Sequence, residues 1–223
     1  MATMPVPLPA RQTGPHVHDW FGSEAGQAIL GSEEDVVLHA LGDRPGLPWL
    51  WLGPLPRALP EGAGRGLYLH PAGEGRWSGP VACGLPLPLP SESFGSVVLQ
   101  HVARPAGECG TPLLEEAARL LVNGGRLSLL VLNPLAPFRW RWRGSGFSAS
   151  EPLSWGRRLR EAGLVPEPVS QGLGPAWSLQ PSPLPQQGPG LRAAYLLRAE
   201  KRAIPLTPVR QRRVVSMAKG AAA

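Results

Sequence analysis

Apolar residues recur along the chain with two periods, and the points where the period changes mark the expected elements. Residues 19–41, DWFGSEAGQAILGSEEDVVLHAL, put Phe21, Ala25, Ala28, Ile29, Val36 and Ala40 on one face at helical spacing. This predicts one helix or two, with a break near Gly31, because Gly22, Gly26 and Gly31 lower helix propensity. The run WLWL, Trp49–Leu52, predicts a buried strand that stops at the turn Gly53-Pro54. GLYLHP, 66–71, predicts a second strand with Leu67 and Leu69 on one face. PVACGLPLPLPSES, 80–93, cannot form a central strand, since its prolines cannot donate to a ladder; only Val81–Cys83 is expected to pair briefly. SVVLQHV, 96–102, is β-branched and apolar and predicts a core strand.

The clearest unit is TPLLEEAARLLVNGGRLSLLVLNP, 111–134. Thr111 suits a helix cap and Pro112 its first turn, Glu115 and Glu116 lie toward the positive end of the helix dipole, and Leu113, Leu114, Ala117, Leu120 and Leu121 form the apolar face. Asn123-Gly124-Gly125 offers a left-handed exit, and RLSLLVL is a strand stopped by Asn133-Pro134. A further helix is expected over about 151–162, capped by Ser150 and closed by Gly163. LVPEPVS reads as a poor strand, and LRAAYLLRAEKR, 191–202, as a good one. Strands alternating with helices predict an α/β fold, a mostly parallel open sheet with helices on both faces. Such sheets bind ligands beyond the carboxyl ends of their strands. That crevice would be lined near Gly53, His70, Cys83–Leu85, Gln100–Val102 and Asn133–Phe138.

Composition narrows this picture. With 28 glycines and 28 prolines in 223 residues, about a quarter of the chain is Gly or Pro, yet without the period of a collagen or a repeat protein. The expectation is one domain, residues 17–205, with stiff loops, a disordered N-terminal tail at 1–16 and a basic flexible tail at 206–223. The net charge of +6 is uneven: from Arg139 onward there are fourteen Lys or Arg against four Glu. That bias suits either anionic partners or a solubilising surface. Cys83 and Cys109 form no CxxC or metal-like set, the start has no basic-then-apolar leader pattern, and the run LSLLVL is far too short for a membrane span. The expected compartment is the cytoplasm.

The segment 87–134 resembles the class I S-adenosylmethionine-dependent methyltransferases, in particular the methyltransferase type 11 domain. The resemblance rests on LPLPSESFGSVVLQHV followed by LLEEAARLLVNGGRLSLLVLNP. A small bacterial subgroup is similar over residues 19–210, through WF…G near the start, Asn-Pro before a Trp/Arg-rich loop, and YLLRAEKR…PLTPVR near the end. The resemblance implies the Rossmann-like class I methyltransferase fold and S-adenosylmethionine as cofactor. It places the cofactor at Leu52, Gly53, Pro54, His70, Cys83, Gly84, Leu85 and Gln100, and a candidate base at His101. The methyl acceptor, a small molecule or a macromolecule, is not identified by it.

Four departures weaken the implied site. LGPLPR supplies one glycine where the family has a glycine-rich loop, and Pro54 and Pro56 remove amide donors. The ribose-gripping acid is replaced by His70, the acid near the adenine by Cys83, and the aspartate of the family's Ser-Phe-Asp entry by Gly95. Losing two charge-assisted hydrogen bonds, at about 1.5–3 kcal/mol each, weakens binding by roughly a hundredfold or more. A second expectation is therefore an inactive methyltransferase-fold protein acting through protein contacts. A third is a basic RNA-associated protein, because FRWRWRG, 138–144, alternates arginine with aromatics. The resemblance instead lays that loop over the acceptor pocket, which favours a lid or acceptor-site reading, with mutual Arg–Trp stacking on the surface as the plain alternative. HVHD, 16–19, lacks a distant partner set for a metal, and EGAGRG, 61–66, precedes a strand and so does not build a phosphate loop.

Overall fold

The computed structural model describes residues 17–58, 62, 64–73, 75–104 and 111–202. Both expected tails and Cys109 lie outside the described residues. A 3-10 turn, Val17–Gly22, leads into α1, Glu24–Leu41. The expected break at Gly31 is absent. Ser23 caps α1 by accepting from the Gly26 amide at 3.2 Å, and the helix then runs unbroken through both internal glycines. Gly26 is needed for contact, because a Cβ there would overlap the Phe21 backbone of the preceding turn. At Gly31 the burial of one apolar stripe outweighs the propensity cost of glycine.

The strands are β1, Trp49–Leu52; β2, Gly66–Pro71; β3, Trp77–Ser78; β4, Phe94–Gln100; β5, Leu121–Leu132; β6, Leu164–Pro166; β7, Gln171–Leu173; β8, Gln186–Gln187; and β9, Ala194–Lys201. They form one sheet in the order β3-β2-β1-β4-β5-β9-β7-β8, with β6 also on β9. β2, β1, β4 and β5 are parallel neighbours, and β9 is antiparallel to β5, β6 and β7. The poor strand LVPEPVS pairs only over its first three residues, as β6; β7 follows the segment, and the two share one edge of β9. β3 was not expected, and Cys83 makes its brief pairing with it, through Trp77.

Two helices follow the central strands: α2, Thr111–Leu120, and α3, Pro152–Glu161. α2 ends before Asn123, and Gly124, at φ 75°, sits inside β5 where its register against β4 shifts. The cap of α3 is Glu151, without a side-chain bond; the Ser150 carbonyl accepts from the Tyr195 hydroxyl instead. The strand expected at 96–102 begins and ends two residues earlier, because His101 turns out of it with φ 55°.

The alternation in WLWL sorts side chains between two cores. Leu50 and Leu52 join Leu69, Val97, Leu99, Leu127 and Leu129 beneath α2 and α3. Trp49 and Trp51 join Tyr68, Val98, Leu130 and Leu196 beneath Val37, Ala40 and Leu41 of α1. Each fully buried side chain of this size contributes about 1.5–3 kcal/mol, so the two faces together hold the sheet. In register, Leu52 lies beside both Leu69 and Leu99. The chain leaving those strands therefore sets Gly53, His70 and Gln100 side by side at the carboxyl edge.

Candidate functional site

The crevice expected at that edge exists, but side chains from α1 and β2 fill it. Glu33 is 0% exposed and lies on the apolar face of α1, between Ile29 and Val37 at four-residue spacing. It accepts from Gln100 Nε2 at 2.8 Å, and its oxygens stand 2.9 and 3.0 Å from His101 Nε2. Gln100 Oε1 accepts in turn from Trp51 Nε1 at 3.2 Å. The His101 side chain is 1% exposed and stacks on Phe21, ring centroids 4.6 Å apart. With Nε2 donating to Glu33, Nδ1 has no partner among the described residues, and His101 lines a void of about 10 Å³ with Phe147, Ser148 and Trp155.

Gly53 donates its amide to the Leu69 carbonyl at 3.0 Å, while the Tyr68 phenol packs against its Cα. A Cβ at Gly53 would overlap that ring. Gly53 thus serves a close approach, but the group approaching is a side chain of this protein. The Tyr68 hydroxyl donates to the Leu55 carbonyl, its ring meets Trp51 edge-on at 4.9 Å, and burial pushes its pKa up against a partial pull down from Arg57. The Arg57 guanidinium lies 4.6 Å above the Trp51 ring and donates to Glu34 at 2.8 Å. What space remains is about 250 Å³, between Gln27, Leu30, Glu34, Pro54, Tyr68 and Gln100. Small-molecule sites typically offer roughly 300–1,000 Å³.

The remaining sequence-derived site residues are placed as follows. Leu52 points into the core under α2 and α3. His70 is half-buried at the rim, its Nδ1 3.3 Å from the Pro71 carbonyl. Cys83 exchanges backbone bonds with Trp77 and packs toward the α2 and α3 face, where burial pushes its thiol pKa up. Gly84 is exposed, and Leu85 borders a separate hollow of about 410 Å³ with Pro112 and Arg119. Of the sequence-derived site residues, Pro54 and Gln100 line the space beside Tyr68; Leu52 faces the opposite core, His101 lines a separate hollow, and Cys83, Gly84 and Leu85 do not line it. Glu33, Tyr68 and Arg57 are residues at the candidate site that the sequence does not single out. Glu33 had a signal, a carboxylate inside an apolar helical stripe. Tyr68 had a weaker one, an aromatic in register with Trp51.

These residues do not fit an adenosyl group. Among the described residues no helix begins between β1 and β2, so no helix N-terminus presents amides there. Among the described residues no carboxylate stands at the end of β2, the phenol of Tyr68 occupies the Gly53 side, and Gln100 bonds to Glu33 and Trp51. Nor does any group of three His, Cys, Asp or Glu among the described residues lie close enough to hold a metal ion. Among those residues no helix is long and apolar enough to cross a membrane.

No family model matches the chain, and no curated protein matches it. Solved structures do. A Thermotoga maritima SAM-dependent methyltransferase, described as a possible histamine N-methyltransferase, superposes with a TM-score of 0.53 at 15% identity, covering 84% of this chain and 100% of its own. A chain from the complex between the Haloferax volcanii Trm112 methyltransferase activator and the putative methyltransferase gives 0.53 at 13% identity, covering 86% and 100%. At such identities the likeness is one of fold. The chain has the Rossmann-like class I methyltransferase fold, a mixed and mostly parallel sheet flanked by helices.

Proposed function

We propose that this protein is a methyltransferase-fold binding module whose adenosyl crevice is closed by its own side chains. One observation supports the reading: the Tyr68 ring packs against Gly53, its hydroxyl bonded to the Leu55 carbonyl and its edge set against Trp51, which carries Arg57 on its face. Opening that space would require breaking the part-buried Tyr68–Leu55 hydrogen bond and the edge-on contact with Trp51 together. The module acts through protein or nucleic-acid contacts on surfaces outside the crevice.

A second reading is an S-adenosylmethionine-dependent methyltransferase with weakened cofactor binding, acting on an unidentified small-molecule or macromolecular acceptor. The Glu33–His101 pair favours it, since a carboxylate that holds one ring nitrogen of an imidazole fixes its orientation and leaves the other nitrogen to take a proton. The grouping with type 11 methyltransferases and with a small bacterial subgroup, and the cytoplasmic location, go with either reading as proposals. Calorimetric titration with S-adenosylmethionine and with its demethylated product decides between them. The closed module gives no saturable heat at millimolar ligand. One-to-one binding in the micromolar range overturns it and establishes the second reading.

A further inference from the structure

The loop after β5 carries a second feature, separate from the crevice. Residues 134–143 alternate between inward anchors and outward groups. Phe138 and Trp142 are buried in a cluster with Phe21, Ile29 and Leu132. Asn133 fixes the start of the loop, donating to the Gly190 and Arg192 carbonyls at 3.0 and 2.9 Å and accepting from the Leu135 amide at 3.1 Å. Trp20 Nε1 donates to the Arg141 carbonyl at 3.0 Å. So held, the loop presents Arg139, Trp140, Arg141 and Arg143 outward, and Trp140 is 73% exposed. An open hollow of about 430 Å³ lies among Pro134, Leu135, Pro137, Arg139, Trp140 and Arg143.

The charged residues that line this hollow, Arg139 and Arg143, have one sign. No Asp or Glu occurs between Glu116 and Glu151, and none of the three arginines forms an ion pair among the described residues. Arg143 stacks on Trp140 with its guanidinium 5.0 Å from the ring centroid, and Arg141 lies 5.5 Å over Phe138. The mutual stacking expected from sequence is therefore present. It leaves a single tryptophan, flanked by unneutralised guanidinium groups, as the wall of a concave site. A planar π-face beside two phosphate-binding forks matches one repeating chemistry, base plus phosphate. An anionic membrane would call for a projecting apolar wedge, and the outward groups here are mostly charged. Because the loop is anchored before any ligand arrives, little ordering cost opposes binding.

We infer that the hollow at Trp140 binds single-stranded nucleic acid, a base stacking on the indole and neighbouring phosphates pairing with Arg139 and Arg143. The inference does not depend on the closed crevice, since no residue of the hollow lines the space at Gly53 and Gln100. A titration that overturned the closed-crevice reading would leave it intact.

The test is fluorescence anisotropy of a labelled oligouridylate of about 12 nucleotides with the full chain, from about 50 to 200 mM salt. Trp140→Ala is expected to weaken binding about tenfold or more. Arg139→Gln with Arg143→Gln is expected to lower the slope of log affinity against log salt by about 1.4, the value for two single-strand phosphate contacts. Trp177→Ala, at an exposed tryptophan outside the hollow, is the control and is expected to bind as the unaltered chain does. Circular dichroism checks that each variant is folded. The inference is overturned if Trp140→Ala and the double arginine variant bind like the unaltered chain, or if Trp177→Ala loses as much as Trp140→Ala. It is equally overturned if uridine monophosphate binds as tightly as the strand, or if an acidic peptide or anionic vesicle needs Trp140 and the strand does not.

Discussion

Glu33 shows what one residue can decide in this molecule. A carboxylate with no exposed surface accepts from Gln100 and His101 and, through Gln100, governs Trp51. These are the groups that an open crevice would turn toward a ligand. Replacing Glu33 with Ala leaves the His101 Nε2 and Gln100 Nε2 donors buried without acceptors, at about 1–3 kcal/mol each, and adds a cavity. Urea denaturation of Glu33→Ala is expected to show a loss of about 3 kcal/mol or more. Glu33→Gln retains an acceptor oxygen and is expected to lose clearly less. Equal losses would mean that packing, and not hydrogen bonding, holds the network. In the sequence Glu33 was visible only as an anomaly of the apolar stripe; nothing local to α1 says which distant donors it meets.

Among the elements, α2 depends on a clamp that the pattern of leucines did not suggest. Glu116 Oε1 accepts from the Leu87 amide and from Arg119 Nη2, both at 2.7 Å. Arg119 also donates to the Leu89 carbonyl at 3.0 Å and to Ser91 Oγ at 2.9 Å. The proline-rich segment 85–91 has few amides for a ladder, and this pair supplies the missing partners. The Arg119 hydrogen bond holds the Glu116 pKa below the usual carboxylate range, aided by the Leu87 amide and opposed by burial. A lowered folded-state pKa stabilises the fold above the unfolded value, about 4.3, and that stabilisation is lost as pH falls through the folded value. Urea midpoints of the unaltered chain should therefore fall from neutral pH to about pH 3. The gap to Glu116→Gln, widest near neutrality, should narrow over the same range. A constant gap would remove the clamp from the account of stability.

For the molecule as a whole, the two faces of the sheet are unequally protected. α2 and α3 share the cover of one face, while among the described residues α1 is the one α-helix over Trp49, Trp51 and Tyr68 on the other. A change that lifts α1 exposes the crevice network and the second core together. Val37→Asp puts a charge into that core, at several kcal/mol against a total stability of about 5–15 kcal/mol. Near-UV circular dichroism and the cooperative urea transition are expected to be lost in this variant. A variant that kept both would show that the α1 face is dispensable.

What the sequence determined by itself was the sheet. Trp49–Leu52 and the strand running into Gln100 announce themselves as short continuous apolar runs, the mark of strands buried on both faces, and the parallel order follows from strands alternating with connections. The positions that depart from a cofactor site were legible in the same way, because a missing glycine or acid is read residue by residue. Gly31 misled, since propensity weighs a residue alone while a buried stripe weighs the whole helix. Only the tertiary structure decided which side chains occupy the crevice. Glu33 reaches Gln100 and His101 across 67 and 68 residues of chain. Tyr68 meets Gly53 because two strands pair in one register. Such contacts depend on where elements come to rest in space, and no local pattern of residues records that.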